Sequence, residues 1–293
     1  ARAFSVSARA TRFDPARFAA VPAGQLDGTI TASGTLAPAF DVTAAVVLTP
    51  GSRYADVALS GTARARATRS TAKDIAVDLH VGNATIALSG AFGTPVDALK
   101  YAVDIPRIDE LRAPLARHAK WTMPEPVAGS VRARGTIIGD PRSPGFTIDA
   151  QGAQLQWGPG LRAKSMTLAG SLAPGITERG RVGLDTRPLK LAVTAVELVT
   201  PPVDIKSLRF AADGTLARHT AKLDATGDGM DVDATVTGGV REVKRADGMP
   251  DFAWFGSLDT LTNRGTHAVR LDAPAVLEVS RDRLHVGSAR IAV

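Results

Sequence analysis

Ile75-Ala76-Val77-Asp78-Leu79-His80-Val81, then Gly82-Asn83, then Ala84-Thr85-Ile86-Ala87-Leu88, is the stretch that decides the fold. Ile75, Val77, Leu79 and Val81 are large and aliphatic, whereas Ala76, Asp78 and His80 between them are small or polar. Successive side chains of an extended strand point to opposite faces, so a period of two produces one apolar face. Gly82-Asn83 breaks the run, because glycine takes positive φ without steric cost, and Ile86 and Leu88 then resume it. Two strands joined by a tight turn follow.

The same pattern continues in both directions. Leu189-Leu191-Val193, Met230-Val232-Ala234-Val236 and Leu284-Val286 repeat the alternation. Turn signals separate such runs at Ser60-Gly61, Ser89-Gly90, Gly158-Pro159-Gly160, Asp213-Gly214 and Gly238-Gly239. At about 14 residues per strand and turn, roughly 20 strands are predicted, mostly in meander order. The one helix candidate is Ile108 to Lys120, with Leu111 and Leu115 four apart, and Pro114 interrupts it.

Internal repetition supports a stacked sheet. Gly28-Thr29-Ile30-Thr31-Ala32-Ser33-Gly34-Thr35-Leu36 resembles Gly129-Ser130-Val131-Arg132-Ala133-Arg134-Gly135-Thr136-Ile137. A smaller Gly-Thr/Ser-Leu-Ala unit occurs at Gly34–Ala37, Gly170–Ala173 and Gly214–Ala217. Repeated strand units without a dividing linker predict a single repetitive β-rich segment over residues 1–293.

Composition narrows the functions. The net charge of +6 is mild and spread along the chain, and aromatic residues make up 5%, which argues against a nucleic-acid surface. With no cysteine there is no thiol nucleophile, disulfide or thiolate metal site. No run of about 20 apolar residues occurs, so the chain reads as a soluble piece of a longer protein. The expected fold is all-β: an elongated, curled antiparallel or mixed sheet of half-pipe form, with an apolar concave groove and little or no helix. An apolar sheet face must be hidden or must have a ligand. Large fillers are scarce, so a thin sandwich and an open trough both remain possible on composition alone. The groove is predicted to be lined by Ile75, Val77, Leu79, Ile86, Leu88, Ile148, Leu168, Leu191, Val193, Phe210, Val232 and Leu284. Arg64, Arg66, Arg132, Arg134, Asp231 and Asp233 fall on the opposite, solvated face.

Catalytic signatures are missing. No Gly-x-Ser-x-Gly, His-Glu-x-x-His, Gly-x-Gly-x-x-Gly or Walker loop occurs. The five histidines are scattered, and His80 and His285 belong to the outer face. Asp224-Ala225-Thr226-Gly227-Asp228-Gly229 has the opening of a calcium loop, but Thr226 and Thr235 stand where ligands belong, so a polar hairpin is the preferred reading. No catalytic residue, metal or cofactor is predicted.

Leu88–Gly93, Asp97–Pro106, Leu111–Leu115 and the Gly129–Ile137 unit, in that order, resemble the TamB/AsmA-like family. Trp254-Phe255-Gly256-Ser257-Leu258 with Leu271–Ala275 and Val276–Val279 looks like the same family's Trp-x-Gly-x-Leu module. The resemblance covers essentially the whole chain and suggests an internal or C-terminal-half segment. It implies a curled sheet with an aliphatic interior, in the periplasm, within a protein anchored in the inner membrane by a part not included here. It also implies a non-enzymatic role in envelope biogenesis, either carrying phospholipid between membranes or supporting assembly of outer-membrane β-barrels such as autotransporters. The partners so implied are phospholipid acyl chains, unfolded outer-membrane protein clients, and an outer-membrane barrel of the TamA type that meets other regions. Two other classes compete: a secreted β-solenoid of the adhesin type, and a β-rich glycan hydrolase using Trp121, Trp157 and Trp254 as sugar platforms. Uneven strand spacing counts against the first, and the lack of any distinguished pair of acids counts against the second.

Overall fold

The computed structural model describes residues 3–111, 126–175, 177–178, 181–182, 187–244, 250–280 and 283–293. Among these are 22 strands, 20 of which belong to one hydrogen-bonded sheet, and every registered pairing is antiparallel. The chain divides into two compact units, residues 1–144 with 150–159, and residues 145–149 with 160–293.

The first unit contains β1 (Ala3–Phe13), a short 3-10 helix (Pro15–Arg17), β2 (Gly24–Thr35), β3 (Asp41–Leu48), β4 (Arg53–Tyr54), β5 (Val57–Thr68), β6 (Ala72–Val81), β7 (Ala84–Phe92), β8 (Ala98–Ile105) and β9 (Val127–Ile138). β10 (Gly145–Trp157) has residues in both units. The second unit holds β11 (Leu161–Leu172), β14 (Pro188–Thr200), β15 (Val203–Thr215), β16 (His219–Gly227), β17 (Met230–Lys244) and β18 (Pro250–Asn263). It ends with β19 (Val269–Leu271), β20 (Ala275–Val279), β21 (Leu284–Val286) and β22 (Ile291–Ala292). A separate small hairpin pairs β12 (Thr177–Glu178) with β13 (Arg181–Val182). Of the helix candidate, residues 109–111 are helical, and its remainder lies outside the described residues.

Alternation makes the strands, and the order is a meander because most successive strands pair. Gly82-Asn83 is the predicted turn, linking Val81 to its partner Ala84. Four other predicted turns are not turns. Ser60-Gly61 lies inside β5, Ser89-Gly90 inside β7, Asp213-Gly214 inside β15 and Gly238-Gly239 inside β17. The reason is close approach between strands. Gly61 has φ +130°, and a Cβ there would collide with the carbonyl oxygen of Asp78 on β6. Glycine is used to let a neighbouring backbone come near, which a single sequence does not distinguish from a turn.

The turn between β3 and β4, which contains Gly51, is pinned by a side chain. Ser52 is 1% exposed; its Oγ donates to Asp27 O (3.0 Å) or Thr49 O (2.9 Å) and accepts from Asp27 N at 3.0 Å. This ties the β3–β4 turn to the start of β2. The Gly28 and Gly129 repeats occupy β2 and β9, in equivalent positions on the pleat.

Candidate functional site: an uncovered apolar face

Directly opposed residues of an antiparallel pair share a face, so the register fixes each face strand by strand. In the first unit one row runs Ala8, Ile30, Val46, Ala63, Val77, Leu88, Tyr101, Gly135 over eight strands. The next row runs Ala10, Gly28, Leu48, Gly61, Leu79, Ile86, Val103, Ala133. Ile75 continues the face with Gly90, Leu99 and Ile137. Tyr101 is the only residue of these rows with a polar tip, and burial pushes its phenol pKa up. One residue along, the pattern inverts to Arg9, Thr29, Val47, Thr62, Asp78, Ala87, Ala102, Arg134.

The second unit repeats the arrangement. Leu168, Val193, Phe210, Leu223, Ala234 and Leu261 form one row. Gly170, Leu191, Ala212, Ala221, Val236, Leu258 and Ala275 form another, and Ile148 Cγ2 lies beside Gly170 with Leu191. Val232 stands in the row of Met166, Ala195, Leu208 and Ala225, and Leu284 in that of Val240, Trp254 and Val279. The twelve predicted lining residues therefore occupy the apolar face of their own unit, five in the first and seven in the second.

That face is not covered as a protein core is. Among the described residues the largest fully buried side chains are Ser52 and Ser143, and the buried apolar residues are mostly alanines. Eleven of the twelve predicted lining residues are half-buried and Leu284 is 68% exposed, while Val6 and Ile30 are 54% and 48% exposed. A sandwich or filled barrel of this size would fully bury many Leu, Ile and Val side chains.

The opposite face carries the charge. Arg66 forks onto Asp41 (2.8 and 2.5 Å), Arg132 pairs with Asp104 (3.0 Å), and Arg264 with Asp231 (3.1 Å) and with Asp233. His80 and His285 are both exposed there, opposite Ser60 and Glu278. Asp224 opposes Asp233 across β16–β17, and Asp228-Gly229 closes the hairpin, as the polar-turn reading predicted. The hydrogen bond shared by the two carboxyls raises the Asp224 pKa, while Asp233, held also by Arg264, is lowered. No group of three or more metal-binding side chains occurs among the described residues. An open hollow of about 400 Å³ in the first unit is lined by residues of both alternations, Thr62, Ala76, Asp78, Ala87, Ser89, Lys100 and Ala102 together with Val77, Leu88 and Tyr101.

Sequence reasoning missed one feature of the apolar face. Trp254 lies across Gly238 and Gly256, where any side chain would strike the indole. Its Nε1 donates to His219 Nε2 at 2.8 Å, and His219 Nδ1 is 3.0 Å from Thr215 O. His219 is 9% exposed. The Gly-x-Gly spacing opposite a tryptophan is the signal that could have revealed it. Trp157 is exposed at the end of β10, and Trp121 lies outside the described residues.

No helix among the described residues is long and apolar enough to cross a membrane. No curated protein and no solved structure matches the chain. The family model of the TamB N-terminal domain matches residues 8–272, in agreement with the TamB/AsmA-like resemblance of the motifs. On that match over most of its length, the chain belongs to the TamB N-terminal domain family.

Proposed function

We propose that the apolar face is a non-enzymatic track for phospholipid acyl chains, in a periplasmic protein anchored in the inner membrane by a part outside this segment. The observation that supports this reading is the unbroken apolar register across eight strands of the first unit, with its large side chains left half-exposed. Removing an acyl methylene from water is worth about 0.8 kcal/mol. A chain filling half of a ~30 Å hydrocarbon core is ~15 Å long, about three strand spacings, so about two chains fit end to end across such a row. Frequent Ala and Gly on the face keep it smooth. The described rows of the first unit's face are aliphatic and glycine apart from Tyr101, a lining that favours tolerance of lipid species. Supply of unfolded outer-membrane protein strands is the second cargo the family implies, and an outer-membrane barrel of the TamA type is the partner at the far end.

Native mass spectrometry of the purified chain, with lipid extraction, tests the reading. Phospholipid is expected to co-purify, and to be lost when Leu191→Asp or Val232→Asp places a charge on the face. A lipid-free mass, with no uptake from labelled vesicles, would contradict the lipid reading and leave protein clients.

A further inference from the structure

The β1–β2 connection, residues 14–23, presents apolar side chains to solvent although it is a built loop. Phe18 is 77% exposed, Phe13 41% and Val21 40%, and every residue from 16 to 21 is exposed. The two phenylalanines stack at 5.5 Å between centroids. Asp14 holds the loop closed at both ends, its Oδ1 accepting from Ala16 N at 3.1 Å and Gly24 N at 3.0 Å. Phe18 N and Ala19 N both donate to Pro15 O, at 3.0 and 3.2 Å. Such a loop holds its aromatic pair outward at low entropic cost. Arg12 and Arg17 flank the pair, and neither guanidinium has a partner among the described residues. The nearby carboxylates are occupied: Asp14 by the loop amides, and Asp27 Oδ1 by Arg12 N at 2.8 Å.

Aromatic rings beside arginines that make no ion pair among the described residues fit one partner best, the interface of an anionic bilayer. There rings sit at headgroup depth, and guanidinium groups meet phosphate. We propose that the β1–β2 loop docks the first unit on an anionic lipid surface, inserting Phe18, Phe13 and Val21 while Arg12 and Arg17 engage lipid phosphates. Residues 14–23 lie in a connection at the strand ends, whereas Phe13 closes β1 and pairs with Leu26, in line with Gly28 and Ile30, so the dock adjoins one end of the first unit's apolar face. Docking would bring the track's unit to a membrane from which lipid can be taken or to which it can be given.

The test uses the chain with vesicles of phosphatidylglycerol in phosphatidylcholine, and of phosphatidylcholine alone. Co-sedimentation is expected with the anionic vesicles and to be weakened by added salt. Phe18→Ser is expected to reduce partitioning about tenfold, and Arg12→Gln or Arg17→Gln about fivefold each, on the anionic vesicles only. Because the chain has no cysteine, Ala20→Cys can carry an environment-sensitive fluorophore, with Val96→Cys, in the β7–β8 loop at the opposite strand ends, as control. A blue shift on vesicles at position 20 and none at 96 is the expected result. Leu191→Asp should still dock, and Phe18→Ser should still take up lipid monomers, so failure of the track and failure of the dock are separable. Equal partitioning of Phe18→Ser and the parent, no shift at position 20, or loss of self-association without loss of lipid binding in Phe18→Ser would each overturn the proposal. The last would assign the loop to a second copy of the chain.

Discussion

The two units carry the same binary pattern and close it to different degrees. Among the described residues, Ala84 and Val127 are the buried apolar residues of the first; in the second there are eight, among them Ala195, Ala212, Ala221, Ala225 and Ala275. The second unit also lays an indole across its face, hydrogen-bonded to His219, where the corresponding rows of the first carry only aliphatic side chains and Tyr101. Alternation decides which face is apolar. Side-chain size and glycine placement decide how far that face is filled. The first unit's apolar face is accordingly the more open, and the second unit's is partly capped by its own tryptophan.

The comparison can be broken most severely at a glycine. Gly61→Val should cost several kcal/mol, because the new side chain meets the Asp78 carbonyl and the backbone has φ +130°. Chemical denaturation should show loss of the first unit's transition while the second unit's Trp254 fluorescence is kept. Next in size, Trp254→Ala should destabilise the second unit by about 3 kcal/mol. Val77→Ala on the first unit's face should cost nearer 1 kcal/mol, since its methyls are only half-buried. Similar urea midpoints for those two variants would erase the distinction between a capped and an open face. Ser52→Ala leaves the Asp27 amide without its buried acceptor, and about 1–2 kcal/mol should be lost from the first unit.

The smallest effect is electrostatic. The Arg66 hydrogen bond holds the Asp41 carboxyl below the usual carboxylate range. Its contribution is therefore present above the unfolded-state pKa and fades as pH falls through the folded value. Both groups are exposed, so solvent keeps the effect slight. The urea midpoint of the parent should fall more than that of Asp41→Asn as the pH is lowered through the carboxylate range. Parallel pH profiles would show that the pair adds nothing.

Much of this was legible in the residues. Ile75 to Leu88 gave the strand class, the turn and the face, and the order of Gly-rich and Trp-x-Gly motifs pointed to the family. Register was less legible, because it depends on extra residues that shift the pairing. β6 slips against β7 between Ala72 and Ile75, where Asp74 takes φ +50°. A serine in Thr49-Pro50-Gly51-Ser52 looks like ordinary turn composition, and its burial depends on Asp27, 25 residues earlier. Glycines inside strands imitated turns for the same reason: the backbone that approaches them is remote in sequence. His219 and Trp254, 35 residues apart, meet only because β16, β17 and β18 pair in register.

Site-specific photo-crosslinking would test the central claim most directly. A photoreactive residue is placed in turn at Val77, Asp78, Leu88 and Ala87, neighbours that alternate across the sheet, in cells whose phospholipids are labelled. Crosslinks to phospholipid at 77 and 88, with none at 78 and 87, are the predicted result. Equal labelling at all four positions, or labelling confined to 78 and 87, would contradict an acyl-chain track on the apolar face.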